Sequence, residues 1–377
     1  MRVLVTGHDG YIGAVMVPTL QAAGHEVVGL DTGFFANGAF RETEAPTLPS
    51  PVGGGKMAPQ GRREKGAAGR ESELTAIRKD IRDVTEGDLA RIEAVVHLAA
   101  LCNDPLGDLN PQWTLEINHA ASVRLARLAK AAGIQRFLFA SSCSIYGASG
   151  TDAALTEAAP LNPLTPYAES KIRTEEDLLA MADSGFSPII MRNATAYGVS
   201  PRLRADLVLN NLVGWAWTTG KVRILSDGTA WRPLIHVEDI AGAFAAALTA
   251  PRQAIHAQAF NVGAPGENYQ VRAVAETVRD TVPNCELEFA GQAHHDPRNY
   301  RVDFNKLETA LPRFYPKWNV RSGAWQLYLA FRGARLTLED FQSRKYTRLK
   351  QLQHLLEGGQ LDETLRWTPP ADTALAA

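Results

Sequence analysis

The first thirteen residues constrain this chain more than any other stretch. Arg2-Val3-Leu4-Val5 is a short apolar run, as a strand buried in a parallel sheet requires. Thr6-Gly7-His8-Asp9-Gly10-Tyr11-Ile12-Gly13 follows at once, and Val15, Val17, Leu20 and Ala23 then recur at helical spacing. The order is strand, G-x-x-G-x-x-G, helix. In such a turn Gly7 makes the tight bend, Gly10 lets a pyrophosphate approach the backbone, and Gly13 lets helix and strand pack closely. The helix start offers free N–H groups and a dipole to phosphate, with Tyr11 and Ile12 in the same turn. A second apolar strand, Glu26-Val27-Val28-Gly29-Leu30, ends in Asp31. A carboxylate there accepts hydrogen bonds from both ribose hydroxyls of NAD and repels the 2′-phosphate of NADP. The pattern predicts a dinucleotide site that takes NAD.

Tyr167-Ala168-Glu169-Ser170-Lys171 adds chemistry to that site. Four-residue spacing puts a phenol and an ammonium on one face of a helix, one turn apart. A phenol ordinarily ionises near pH ~10, and a neighbouring cation stabilises the phenolate. Such a pair exchanges a proton with a substrate hydroxyl near neutral pH. Taken alone, Y-x-x-x-K is common on helices; its weight comes from the glycine turn upstream.

The rest of the chain alternates strand and helix patterns, which predicts an α/β fold, a doubly wound parallel sheet of the Rossmann type, with a smaller C-terminal lobe. At 377 residues the chain can bury a large core and a second lobe. We place the dinucleotide domain at 1–195, with 229–263 returning to it, and the substrate lobe at 196–228 and 264–377. Residues 44–73 are rich in Gly, Pro, Ala and Arg and read as a flexible insertion. A helix is expected over about 113–132, and Thr165-Pro166 opens the helix carrying Tyr167. Leu349, Leu352, Leu355 and Leu356 in the tail fall at helical spacing and read as packing. With 39 basic and 41 acidic residues, bulk charge favours neither nucleic acid nor a membrane surface. No apolar run is long enough to span a bilayer, and with a strand predicted from residue 2 no leader is expected. Cys102, Cys143 and Cys285 lack metal spacing, so no metal is expected. A sparse, odd set fits a reducing compartment, so the expected location is cytoplasmic.

Together the glycine turn, Asp31 and Tyr167/Lys171 resemble the extended short-chain dehydrogenase/reductase family, and within it the nucleotide-sugar epimerases and dehydratases. The likeness runs from Met1 to about residue 310. Asp80-Ile81 resembles the family's acidic–apolar pair at the adenine ring, and Leu98-Ala99-Ala100 the strand end along which the cofactor runs. Ser142 stands four residues before Tyr146, where the family carries its third catalytic group. Arg232, in Arg232-Pro233-Leu234-Ile235-His236-Val237-Glu238-Asp239, corresponds to the arginine that clamps a substrate diphosphate, a task suited to a guanidinium. The resemblance leaves His236 and Asp239 structural, one capping a helix and one orienting a loop. His97, in a buried apolar run, reads as a core histidine, and Asn118 as supporting the site. Arg204 either meets a diphosphate or carboxylate or is a surface charge. Arg298 and Arg301 sit where family members carry a residue near the nucleoside.

The departures bear on the reaction. Dehydratases of this family carry an Asp-Glu pair directly after the catalytic Ser or Thr; here those positions are Cys143 and Ser144, which can face the substrate, although Cys143 reads better as a buried small residue. The family's Asn three residues before Gly198 is replaced by Thr195. What remains is Ser142, Tyr167, Lys171 and NAD, enough for reversible oxidation of a sugar hydroxyl. The leading expectation is an NAD-dependent epimerase of a nucleotide-diphosphate sugar, acting through a transient keto-sugar, at C4. Alternatives are a net oxidoreductase, a dehydratase or decarboxylase of the same family, and a non-catalytic NAD-binding sensor. By analogy a homodimer pairs the helices near 113–132 and 168–184.

Overall fold

The computed structural model describes residues 1–40, 74–102, 104–149, 153–224, 226–289 and 298–369. The expected insertion at 44–73 lies outside them. The core is a seven-stranded, wholly parallel sheet in the order β10-β6-β5-β4-β1-β2-β3. Its strands are β1 (Arg2–Thr6), β2 (Glu26–Asp31), β3 (Thr75–Arg78), β4 (Ala94–His97), β5 (Arg136–Ser142), β6 (Ser187–Asn193) and β10 (Gln258–Val262). Strand order reverses at β1, which opens the crevice in which ligands of such sheets bind. Helices cover both faces, so β1 is buried on both sides: Val3 and Val5 point into one core cluster and Leu4 into the other.

The return of 229–263 to this sheet is divided. The helix Val237–Thr249 buries Ile240, Phe244 and Leu248 in one of the two central cores, and β10 adds the sheet's last strand. Trp231–His236, however, forms β9 in a separate three-stranded sheet, between β7 (Thr195–Tyr197) and β11 (Asn268–Gln270). A second small sheet pairs β8 (Lys221–Ile224) with β12 (Glu286–Phe289). The smaller lobe has its own core, where Leu209, Val213, Val274, Leu327 and Phe331 meet. The tail does not stay in that lobe. Leu352 and Leu355 of the helix Arg348–Glu357, with Leu361 and Leu365 beyond it, pack into the same cluster as Leu4, Val28 and Phe34 of the dinucleotide half.

Pattern and structure also differ over 113–132. The helix there is interrupted by a π-helical turn, Leu115–Ala120, before it continues as Ala121–Ala131. The wider turn frees the Asn118 carbonyl, which accepts from Ser122 Oγ at 2.6 Å and Thr174 Oγ1 at 3.1 Å. The Asn118 amide meanwhile clasps the Leu101 backbone at 2.8 and 3.0 Å. Such turns cluster at functional sites, and this one holds the chain just past the C-terminal end of β4.

Candidate active site

The glycine turn is built by close approach. Gly7 has φ +72°, and a Cβ there would lie 2.8 Å from Ala99 N. A Cβ on Gly13 would lie 2.1 Å from Gly7 O, so only glycine lets the first helix, Gly13–Ala22, start where it does. At Gly10 a Cβ would press on Gly7 O at 3.1 Å, and without one the backbone there is bare. Room beside a bare backbone at a helix start is what a diphosphate needs. Asp31 stands at the end of β2, accepting from Gly33 N at 2.8 Å and Asp9 N at 3.2 Å. Burial pushes its carboxyl above the usual range. Hydrogen bonds from ribose hydroxyls would oppose that shift.

One long cleft joins these residues to the chemistry. It is lined by Gly7, Gly10, Tyr11, Ile12, Gly13, Asp31, Asp80 and Ile81 at one end, by Leu98, Ala99 and Ala100 in the middle, and by Ser142, Tyr167 and Lys171 at the other. The Asp80 carboxylate, which lines the cleft, grips Arg82 Nε and Nη2, at 3.0 and 2.7 Å. Thr165 caps the helix Pro166–Ala180 by accepting from Ala168 N at 3.2 Å, with Pro166 in the first turn, as the dipeptide predicts. Lys171 is buried beneath the cleft. Its ammonium donates to Ala140 O at 2.7 Å and lies 4.6 Å from the Phe139 ring centroid and 5.6 Å from that of Tyr167. Burial pushes its pKa down to about 8. Ser142 ends β5, and its Oγ accepts from Ser144 N at 3.1 Å.

The helix bearing Tyr167 and Lys171 is pinned from behind by a group that the sequence pattern does not reveal. Glu175, one turn beyond Lys171, takes a paired hydrogen bond from Arg192 Nε and Nη2, at 3.0 and 2.7 Å, and one from Ser141 Oγ. All three side chains are buried, so the pair ties the helix to the ends of β5 and β6.

The residues expected to meet substrate divide. Ser142, Ser144, Thr195, Arg204, Arg232 and Arg298 line the cleft. Cys143 does not: its thiol is buried and bonds to Arg192 O at 3.1 Å, and burial pushes its pKa up. Arg301 does not line it either, its guanidinium lying 4.9 Å over the Trp231 ring. Arg204 is buried and paired with Asp206 at 2.9 and 2.7 Å, so its charge is already met. Arg232 Nη1 donates to Trp231 O and Arg298 O. Two polar atoms beside the reactive end are buried without a partner among the described residues, Ser144 Oγ and Asn193 Oδ1. Both residues line the cleft, and a buried polar atom left unpaired costs free energy until a ligand meets it. Asn193 escaped the sequence reading because it lies two residues before the motif position held by Thr195.

The supporting residues behave as the pattern suggests. His97 lies between Thr6 Oγ1 at 2.6 Å and Ser122 Oγ at 2.7 Å, and burial pushes its pKa down to about 3, so it is a neutral core group. His236 caps the helix Val237–Thr249 through Glu238 N, and Asp239 holds the loop N–H groups of Lys317 and Trp318 at 2.9 and 3.0 Å. No cluster of metal ligands occurs among the described residues, and none of their helices is long and apolar enough to cross a membrane.

Comparison with known proteins agrees with this geometry. The model of the NAD dependent epimerase/dehydratase family matches residues 3–263. UDP-glucose 4-epimerase of Homo sapiens is 30% identical over 301 residues, 74% of this chain and 81% of that protein. UDP-glucuronic acid decarboxylase 1 of Arabidopsis thaliana is 26% identical over 354 residues, 90% of this chain and 72% of that protein. Among solved structures, MoeE5 in complex with UDP-glucuronic acid and NAD superposes with a TM-score of 0.70 at 26% identity, covering 88% of this chain and 99% of MoeE5.

Proposed function

The chain belongs to the NAD-dependent epimerase/dehydratase family, an enzyme family, and from that footing we propose that it is a nucleotide-sugar epimerase acting at C4 through a transient keto-sugar. The observation that carries this reading is what stands around Ser142. Ser142, Tyr167 and Lys171 all line the cleft, and the carboxylates among its lining residues, Asp31 and Asp80, stand at the end of β2 and after β3. Loss of water needs an additional acid and base beside the sugar, and the positions after Ser142 hold a buried thiol and a hydroxyl. Bound NAD supplies a reversible hydride acceptor, which is what oxidising a carbinol and reducing the ketone again requires.

The chain's own residues do the proton and binding work. Tyr167 Oη takes the proton of the sugar hydroxyl as the carbonyl forms and returns it on reduction. Lys171 holds the phenolate by its charge and keeps it basic enough to act near neutral pH. Ser142 Oγ donates to the carbonyl oxygen while charge develops on it. Thr195, Arg232 and Arg298 bind the nucleotide end, with Arg232 facing the diphosphate. Ser144 Oγ and Asn193 Oδ1 meet sugar hydroxyls and so fix which carbon is presented. The curated relatives and MoeE5 with its UDP-sugar favour a UDP-linked substrate. The active unit in this reading is a homodimer formed by the helices Ala121–Ala131 and Pro166–Ala180.

The test incubates the protein with a panel of UDP-, GDP- and dTDP-sugars in heavy water with catalytic NAD, followed by chromatography and mass spectrometry. A new peak of unchanged mass without deuterium is expected. Loss of water or carbon dioxide, or turnover only with stoichiometric NAD, overturns the epimerase reading. Tyr167→Phe is expected to lose turnover by about 10²- to 10⁴-fold while NAD still binds; unchanged turnover overturns the assignment of Tyr167.

A further inference from the structure

Arg348 has no role in the site as built so far. It opens the helix Arg348–Glu357, beyond the residues that match the family model, yet its side chain lines the cleft and is 5% exposed. Its guanidinium carbon lies 4.0 Å over the Phe35 ring centroid. Its one hydrogen bond among the described residues, from Nη2 to Arg202 O, is 3.5 Å long. No carboxylate pairs with it among the described residues. Asp206 is taken by Arg204, and Asp31 by the backbone of Asp9 and Gly33. Burial and then the nearby Arg204 push its pKa down to about 10, against the weaker pull of Asp206 and Asp31.

A buried guanidinium without an ion-pair partner costs free energy unless an anion joins it. Its position says which anion. Arg348 lies over Phe35, which follows the end of β2, feels the charge of Cys102, which follows the end of β4, and shares the cleft with the Gly7–Gly13 turn after β1, the strand between those two. The reactive end, at Ser142 and Tyr167, belongs to β5 and the helix after it. We propose that Arg348 is a ligand of the diphosphate of the bound dinucleotide, supplied by the C-terminal tail from outside the family module. The glycine turn meets that diphosphate with backbone N–H groups on one side, and Arg348 meets it with a full charge on the other, the Phe35 ring holding the guanidinium flat. The inference rests on the dinucleotide reading of the cleft; a nucleotide sugar also carries a diphosphate, and the experiment separates the two.

The full-length protein, Arg348→Met and Arg348→Lys are titrated calorimetrically with NAD, adenosine and UDP, and their thermal midpoints are recorded without ligand. For Arg348→Met the expected result is NAD affinity reduced tenfold or more, adenosine and UDP changed less than twofold, and a ligand-free midpoint equal to or above that of the parent. Arg348→Lys, which keeps the charge but not the fork, should fall between. NAD affinity within twofold of the parent overturns the proposal. So does an equal loss for NAD and adenosine with a lowered midpoint, which marks a structural arginine. Loss of UDP affinity with NAD unchanged moves Arg348 to the sugar nucleotide and overturns it too. If the parent protein itself binds no NAD, the reading of the cleft has failed rather than the assignment of Arg348.

Discussion

Asp9 and Arg202, 193 residues apart, form an ion pair: Nε and Nη2 of Arg202 lie 2.7 and 2.5 Å from Asp9 Oδ1. Asp9 belongs to the glycine turn and Arg202 to the segment between β7 and the lobe's first long helix. Arg202 also donates to Ala36 O at 2.8 Å, and close by the Tyr11 hydroxyl donates to Gly198 O at 2.7 Å. The loop that would cradle the dinucleotide is thus fastened to the lobe that would hold the sugar nucleotide.

That fastening predicts coupling. Arg202→Met should weaken NAD binding about fivefold, as loss of a partly exposed ion pair worth about 1 kcal/mol implies. It should also reduce the factor by which NAD changes UDP affinity, because linkage between two sites is reciprocal. Paired titrations, UDP with and without NAD, measure both. An unchanged factor would mean the two lobes bind independently.

Lys171 carries a stability cost with a definite pH signature. Its pKa falls from 10.5 to about 8 on folding. Below pH 8 it is charged in both states, and burial penalises the folded one. Between about 8 and 10.5 the unfolded chain binds the extra proton, so stability rises with pH there. Lys171→Met removes the penalty and the titration together. The stability of the variant relative to the parent should therefore be most favourable near pH 7 and decline by about 3 kcal/mol between pH 8 and 10.5. Urea unfolding at pH 7, 9 and 10.5 reads this directly, and a constant difference would show that Lys171 is not buried as described. The variant should also be inactive, an activity–stability exchange at one residue.

Acid should unfold the protein through its buried histidines. His97 and His236 both fall from 6.5 to about 3, chiefly by burial. Below pH 6.5 the unfolded chain takes up a proton at each that the folded chain refuses, so stability drops as pH falls. Each contributes a slope of about 1.4 kcal/mol per pH unit. Asp239, pushed up to about 6, acts the other way between 3.8 and 6 because its folded form holds a proton more readily. These three groups give a steep fall from pH 6.5 to 6 and a shallower one below; the raised carboxyls of Asp31 and Glu267 soften the fall and the lowered His25 adds to it. His97→Gln should reduce the slope by one proton in the same urea series; an unaltered slope would exclude His97 as a contributor.

What could be read from the sequence was local. The glycine turn, Asp31, the Thr165-Pro166 helix start and the Tyr167/Lys171 spacing each depend on neighbours within a few residues, and the pattern brought their positions out. Pairing was harder. Trp231–His236 has a strand's composition, but whether it joins the main sheet or pairs with β7 and β11 is decided by chain segments on either side of it in space. That Cys143 is buried while Ser144 faces the cleft follows residue type rather than strand alternation, because β5 ends at Ser142 and a 3₁₀ turn, Cys143–Tyr146, follows. The tail leucines were recognisable as a buried face, but amphipathic spacing does not say against what. Arg348, one charged residue at a helix start, left no signal at all.

The tail's packing gives the last prediction. Leu352, Leu355, Leu361 and Leu365 are all under 4% exposed, within the core that also contains Leu4 and Val28. Burial of a leucine contributes about 2 kcal/mol, so the four approach the whole net stability of a typical protein. Polar ties reinforce them: Arg82 Nη1 donates to Thr364 O at 2.7 Å, Trp113 Nε1 to Glu363 O at 2.8 Å, and Trp367 Nε1 to Thr32 O at 2.8 Å. Deleting everything after Tyr346 should therefore leave a chain that does not unfold cooperatively, although it retains every residue matching the family model. Leu355→Ala, a smaller cut, should cost about 2–4 kcal/mol and keep the fold. Trp367→Ala should cost less, since that residue is 37% exposed and loses one hydrogen bond and its contacts with Phe34 and the Arg78 guanidinium. Calorimetric melts of the three rank the effects. A truncated protein that melted cooperatively near the parent's midpoint would show that the dinucleotide half closes its core without the tail, and the order truncation, Leu355→Ala, Trp367→Ala would then have no basis.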